Sequence, residues 1–363
     1  MIPPVPYINE AARTTRSQIV IVDTIRIDAS ATSLRGEWDI RDDRLFFTDY
    51  ALAGIREYSS EGIFIKRHIE KGRGPGESPT PFNTVCFGHD RCLYSLDQSW
   101  FYSVYDSTFT VIVSRYRFLS ETNYNKGDWN RLLLHPDPEI DNMYEFNLDV
   151  RDMRPIGDGQ VLVPVYTEHA IFNAYASINH RSYWKNSYLF MIVDPGSERI
   201  VSKFGHFPPI YQKRRIPAFY KYGFDVGDDG IYVSFAADSL IYVFDRTSLM
   251  PTKAFGCSFA GFNDHFPESR SFDDYASSFR DLQSEYGWFG RIMLDGNRIF
   301  RSYKLAGKAG YGVQIYEDYA LVSDIHFNEE PSVIGRIGSY YYISVPVDTV
   351  NDQFVFYRFM VCD

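Results

Sequence analysis

Gly227-Asp228-Asp229-Gly230-Ile231-Tyr232-Val233, then Leu240-Ile241-Tyr242-Val243-Phe244-Asp245, then Ala254-Phe255-Gly256, is the stretch that decides the fold. A turn rich in Asp and Gly leads into three short runs of aromatic and β-branched residues. Asp and Gly tolerate the positive φ that tight hairpins require, and β-branched and aromatic residues suit a pleated sheet. The stretch reads as consecutive antiparallel strands.

Working outward, the same apolar anchor returns at Leu45-Phe46-Phe47, Leu93-Tyr94-Ser95, Val161-Leu162-Val163, Ile299-Phe300-Arg301 and Tyr341-Tyr342-Ile343. A second strand follows each copy, most cleanly at Tyr102–Asp106 and Tyr188–Asp194, and a further strand runs out to Lys203-Phe204-Gly205. Successive anchors start 48, 68, 70, 68 and 42 residues apart. A four-stranded propeller blade needs roughly 40 to 50 residues. The spacing therefore predicts six blades with insertions near 122–147, 166–186 and 262–285. In the last insertion Tyr275, Phe279 and Leu282 fall at helical spacing and predict a short surface helix. Too few residues follow Pro331 for a complete final blade. The run from Gln18 to Ile27 is an unclaimed strand, expected to join that blade as its outer strand. Such closure leaves the ring without an open seam. The reading is an all-β, six-bladed β-propeller of four-stranded antiparallel blades, with residues 1–16 a tail and 17–363 one domain.

Composition agrees. Aromatic residues make up 17% of the 363 residues, with 28 Tyr and 29 Phe, which suits sheets stacked face to face. The net charge is −10, and no basic tract is interleaved with aromatics, which argues against a nucleic-acid partner. No apolar run reaches the 18 or so residues of a membrane helix. The first 16 residues hold three prolines and no apolar signal-peptide core. Cys86 and Cys92 flank a hairpin turn, close enough to bridge or to pack as small apolar side chains. None of the four cysteines has zinc-site spacing.

Between the first two blades lies Lys71-Gly72-Arg73-Gly74-Pro75-Gly76-Glu77. Alternate glycines and a proline demand a tightly turned backbone. Exposed amides there, with Arg73, are suited to an anion, whereas Glu77 capping those amides is the structural alternative. The loop lacks the spacing of a nucleotide-binding P-loop. This Gly-x-Gly-Pro-Gly-Glu loop resembles that of bacterial six-bladed β-propeller proteins of unknown function, related in architecture to NHL and YWTD propellers. Phe46-Phe47-Thr48-Asp49 echoes the YWTD strand. The resemblance implies an exported, often lipid-anchored protein and supplies no catalytic residues. The chain as given shows neither a signal peptide nor a lipid-attachment cysteine near its start.

Propellers bind where the innermost strands begin. Counting ten residues back from each anchor gives Arg35, Asn83, Arg151, Lys221, Phe289 and Pro331, with Arg291 and Arg154 near the same level. Three of the six are basic in an acidic protein. A basic channel mouth favours a carboxylate, phosphate or acidic peptide, and interblade salt bridges are the alternative use. The candidate ligand residues are Arg35, Arg73, Glu77, Arg151, Lys221 and Arg291. Trp129, Tyr144, Tyr183, Trp184 and Trp288 in the insertions are candidates for display to a protein, peptide or glycan. No Gly-x-Ser-x-Gly elbow or His-Glu-x-x-His motif is present. The expectation is a non-enzymatic binding module without a cofactor. A calcium-dependent lactonase or esterase is the alternative, with Glu37, Asn83, Asp149 and Asp225 as oxygen ligands in the channel.

Overall fold

The computed structural model describes residues 18–362 apart from 89, 118–125, 168, 176–179 and 308–309. The tail 1–16 and the first residues of the 122–147 insertion fall outside that set. Six antiparallel sheets form six blades. Blade 1 comprises Gly36–Arg41, Arg44–Asp49, Gly54–Tyr58 and Phe64–Ile69. Blade 2 comprises Phe82–Phe87, Leu93–Asp97, Phe101–Tyr105 and Ile112–Arg117. Blade 3 begins with two short pieces, Glu145–Phe146 and Arg154–Gly157, followed by Gln160–Tyr166, Phe190–Asp194 and Arg199–Phe204. Blade 4 holds Tyr222–Val226, Ile231–Phe235, Ile241–Phe244 and Pro251–Phe255. Blade 5 holds Trp288–Asp295, Arg298–Lys304, Tyr311–Glu317 and Ala320–Phe327. Blade 6 takes Ser332–Ile337, Tyr340–Ser344 and Gln353–Cys362 from the C-terminal region and Gln18–Asp28 from the N-terminal one. Every anchor is a second strand, and the expected closure is present.

The recurrent Asp after the third strand has a physical cause. Asp106 accepts the Thr110 and Val111 amides at 2.8 and 2.9 Å, Asp194 accepts the Gly196 amide, and Asp245 accepts the Thr247 and Ser248 amides. Each carboxylate satisfies amides that the turn to the fourth strand would leave bare. The Thr108 hydroxyl and these amides hold the Asp106 carboxyl down at about 2.

Neighbouring blades are latched by buried polar groups as well as apolar packing. Arg301, on the second strand of blade 5, is fully buried. It donates to the Ser234 hydroxyl and to the Ser239 and Asp238 carbonyls of blade 4 at 2.6–2.7 Å. Its guanidinium lies 3.4 Å from the Phe289 ring centroid. Burial lowers it to about 10, so it stays charged at neutral pH. At the closing seam Arg358 of blade 6 grips Asp23 on the N-terminal strand and Glu61 of blade 1, the latter at 2.7 Å.

Among the described residues four α-helices stand on the ring: α1 (Lys126–Leu134), α2 (His180–Asn186), α3 (Pro209–Lys213) and α4 (Phe272–Glu285). Strands alternate in direction, so the second-to-third and fourth-to-first connections share the end where the innermost strands begin. All four helices lie in such connections, between blades 2 and 5, and cap that end. Helix α4 is the expected surface helix, with Ser271 capping the Asp274 amide. The segment 205–221, carrying α3, is an insertion that anchor spacing did not separate from its neighbours.

One expectation is corrected, and one open alternative is decided. Tyr144, Tyr183 and Trp184 are not displayed; each is at most 1% exposed. Trp184 packs edge-on to Phe207, with centroids 4.6 Å apart, and lies 5.2 Å from Tyr211, because the insertions cover one another. Trp288 is half-buried, and the Trp129 side chain lies outside the described set. Cys86 and Cys92 do not bridge; both thiols are free.

Two outcomes follow from these contacts. Replacing Arg301 with Leu strands three acceptors, one buried and two partly buried, and is expected to cost on the order of 3 kcal/mol in denaturant unfolding; a loss within experimental error contradicts the latch. Asp106→Ala lowers the unfolding midpoint at pH 7. The folded value of Asp106 lies below its unfolded value of about 3.9, so its contribution is present above that pH and fades as pH falls toward 2. The gap between variant and parent should therefore narrow below about pH 4, and a constant gap argues against the cap.

Candidate functional site

The innermost strands carry charge toward the channel. In Gly36–Arg41, apolar Trp38 and Ile40 alternate with charged Glu37, Asp39 and Arg41. Side chains on a strand alternate faces, so the three charges share one. Blade 3 breaks its first strand. Pro164 in the partner strand has no amide to donate, and the chain leaves the ladder between Phe146 and Arg154. The detour is stitched by Asn147, whose side-chain oxygen accepts the Asp149 and Val150 amides. It delivers Asp149, Arg151 and Asp152 to the channel mouth. Arg151 takes a φ of +46°, a left-handed conformation that costs about 1 kcal/mol for a non-glycine residue.

Blade 5 uses a second irregularity. A β-bulge between Phe289 and Ile292 re-aims Arg291. Blade 4 accommodates it with Gly223, where a Cβ would come within 2.7 Å of the Gly290 carbonyl oxygen. The glycine is required by this close approach of two innermost strands.

Five blades meet in one polar belt across the channel. The Arg291 guanidinium contacts Glu37 at 2.5 Å and the Ser332 hydroxyl at 3.4 Å. The Tyr50 hydroxyl donates to the other Glu37 oxygen at 2.6 Å. Arg154 contacts Asp152 and donates to Asp225 at 2.9 Å, and Asp225 also accepts the Leu294 amide at 2.9 Å. Burial alone would raise Glu37, but Arg291, Arg154 and Tyr50 outweigh it and hold it below its ordinary value. Asp39 differs. It makes no hydrogen bond or ion pair among the described residues. Burial, with the charges of Glu37 and Asp225, pushes its carboxyl up to about 7 against the pull of Arg154 and Arg291.

Above the belt lies the mouth. The Arg151 guanidinium is exposed and sits 5.5 Å from the Tyr50 ring centroid. Lys221 lies 3.4 Å from Asp149, which also accepts the Tyr220 hydroxyl. Tyr175 continues the surface, 6.2 Å from Tyr220 and 4.5 Å from Tyr275 of α4, and Phe272 is 58% exposed beside it. Arg35 is exposed immediately before blade 1. Arg35 and Arg151 form no ion pair among the described residues.

Arg151 and Lys221 thus stand at the mouth, with Arg291 in the belt beneath it and Arg35 at the start of an innermost strand. Arg73 and Glu77 do not join them. Their loop packs on Thr110 in the outer turn of blade 2, and Glu77 accepts the Gly74 amide of its own loop at 2.6 Å. Phe289 is the buried seat of Arg301, and Asn83 donates to the Asp97 carbonyl. The calcium candidates Glu37, Asn83, Asp149 and Asp225 are held by Arg291, Asp97, Lys221 and Arg154 respectively. Among the described residues no group of three His, Cys, Asp or Glu is placed to hold a metal ion. Tyr50, Asp39 and Asp152 were missed. The alternating charges of Glu37, Asp39 and Arg41, and Pro164 inside an otherwise apolar strand, were the available signals.

Asp39 yields a pH test. Its folded value lies above its unfolded one, so folding weakens as pH rises from about 4 to 7. Asp39→Asn removes that cost. It is expected to be more stable than the parent at pH 8, by at most about 4 kcal/mol for a shift of this size. The gap should vanish near pH 4, as measured by urea unfolding; a less stable variant at pH 8 would overturn the assignment.

No family model and no curated protein matches the sequence. Many solved structures are similar in fold, among them two bacterial proteins. A member of the DUF4221 family from Bacteroides vulgatus is 13% identical with a TM-score of 0.70, covering 96% of this chain and 99% of that one. A putative exported protein from Bacteroides fragilis is 13% identical with a TM-score of 0.55, covering 99% and 98%. Among the described residues no helix is long and apolar enough to cross a membrane. The chain therefore shares its six-bladed propeller architecture with these bacterial proteins.

Proposed function

We propose that the protein is a non-enzymatic binding module whose channel mouth receives an acidic ligand, carried on a small molecule, a peptide or a glycan. The observation that carries this reading is Arg151. A broken strand and a left-handed backbone hold a cation in the open, over a tyrosine ring, with no carboxylate partner among the described residues. The left-handed backbone at Arg151 costs about 1 kcal/mol, and no ion pair among the described residues offsets it. Lys221 and the half-shared Arg291 add charge beside it, and Tyr175, Tyr275 and Phe272 add flat apolar surface on one flank. The mixture suits a carboxylate or phosphate attached to a ring or chain. The name of the Bacteroides fragilis neighbour supports an extracytoplasmic location, where such ligands would be met.

The test is an array of acidic and neutral oligosaccharides and peptides, probed with the whole protein. Carboxylate- or phosphate-bearing members should be retained, and retention should fall as salt rises. The Arg151→Glu, Lys221→Glu double variant should bind about ten- to a hundredfold more weakly. Equal retention of neutral and acidic members, or unchanged binding by the variant, would refute the reading.

A further inference from the structure

A second chamber lies at the other end of the channel, on the far side of the polar belt. Its volume is about 620 Å³, and the innermost strands of all six blades and their hairpin turns line it. The lining mixes charge with apolar surface from Ile40, Cys86, Met293 and Ile334. Most of its charges are paired. Arg154 is held by Asp225 and Arg336 by Asp295 at 2.7 Å, whereas Arg41 lies 3.6 Å from the exposed Asp42 and rests on the Phe87 and Phe109 rings with its Nη1 buried and without a hydrogen-bond partner among the described residues. Two lining carboxylates remain. Asp43 is exposed on the tip of the blade 1 hairpin. Asp39 sits deeper and has no hydrogen-bond or ion-pair partner among the described residues.

We propose that this chamber is a binding site for a small aliphatic ammonium ion, seated on the Asp39 carboxylate with its hydrocarbon against Met293 and Ile334. An unpaired carboxylate in a walled chamber is a strong acceptor, because solvent competes poorly there. The volume exceeds what a bare metal ion needs, and among the described residues no group of three His, Cys, Asp or Glu is placed to complete an inorganic coordination shell at Asp39. Apolar walls suit the methylene chain of an amine.

The groups facing Asp39 set a proton linkage. Glu37 from its own strand, Arg154 from blade 3, Asp225 from blade 4 and Arg291 from blade 5 act on its carboxyl, and the Cys86 thiol of blade 2 lies in the same field. A bound ammonium displaces the proton that Asp39 otherwise holds near neutrality. Affinity should therefore rise about tenfold per pH unit up to about 7 and level off above it.

The experiment is calorimetric titration of the full chain with putrescine, at constant ionic strength, from pH 6 to pH 8.5. Saturable binding with proton release at pH 6.5 is expected. Asp39→Asn should weaken it about ten- to a hundredfold, and Asp39→Glu should keep it within a few-fold. Arg151→Glu should leave it unchanged, which separates this chamber from the mouth. No binding by the parent, or equal binding by Asp39→Asn, overturns the proposal. Displacement of putrescine by calcium chloride at matched ionic strength overturns the ammonium class.

Discussion

Everything in this molecule depends on one pairing of strands. Gln18–Asp28 lies antiparallel on Gln353–Cys362, from Gln18 opposite Cys362 to Asp28 opposite Gln353. A propeller blade buries its faces only against its neighbours, so an unfinished sixth blade would expose two of them at once. The N-terminal strand brings Ile25 and Ile27 into a cluster with Trp38, Phe47, Phe354 and Phe356. Trp38 lies within 5.4 Å, centroid to centroid, of four aromatic rings there. Arg358 and the Tyr342 hydroxyl, which reaches the Ser60 carbonyl, tie the polar outside of the same seam. The polar belt inherits its geometry from this closure. Glu37 stands on one side of the seam and Ser332 on the other, and Arg291 touches both.

The channel is layered by charge. Unpaired or half-paired cations stand at the capped end, paired charges cross the middle, and Asp39, without a partner among the described residues, faces the opposite chamber. Two of these layers rest on a local departure from regular strand geometry and the third on its absence. The detour after Phe146 places Arg151, the bulge at Gly290 and Arg291 places the Glu37 partner, and the unbroken first strand of blade 1 leaves Asp39 without one. Regular strands build the ring, and irregular ones make its ends chemically different.

The ring itself was legible because its signals are local. Apolar anchors, Asp- and Gly-rich turns and the Asp after the third strand all act within a few residues of one another. The unclaimed strand at Gln18 and the short final copy pointed to closure by simple shortage of strands. Counting back from each anchor reached the channel mouth at Arg151 and Lys221 for the same reason: hairpin lengths are short and regular. What was not legible depends on partners distant in sequence. Tyr183 and Trp184 are buried because the 205–221 segment folds over them. Position 289 is occupied by the ring that seats Arg301, a residue of the next strand whose own acceptors belong to blade 4. The isolation of Asp39 is visible only once Arg154 and Arg291 have chosen Asp225 and Glu37.

The closing pair also sets how the molecule answers to force. Gln18 and Cys362 are cross-strand partners at the same end of one hairpin-like ladder. Tension applied between them would load the ladder one hydrogen bond at a time, as a zipper is opened, rather than shearing all of its bonds together. Under such a pull the closing ladder opens from the Gln18–Cys362 end. A load applied to either strand alone is spread across the blade instead. Both strand ends lie on the side of the third-to-fourth-strand turns, away from the helical cap. A protein held by one end would keep its basic mouth facing outward and its closure intact, whereas one pulled by both would open at the seam first.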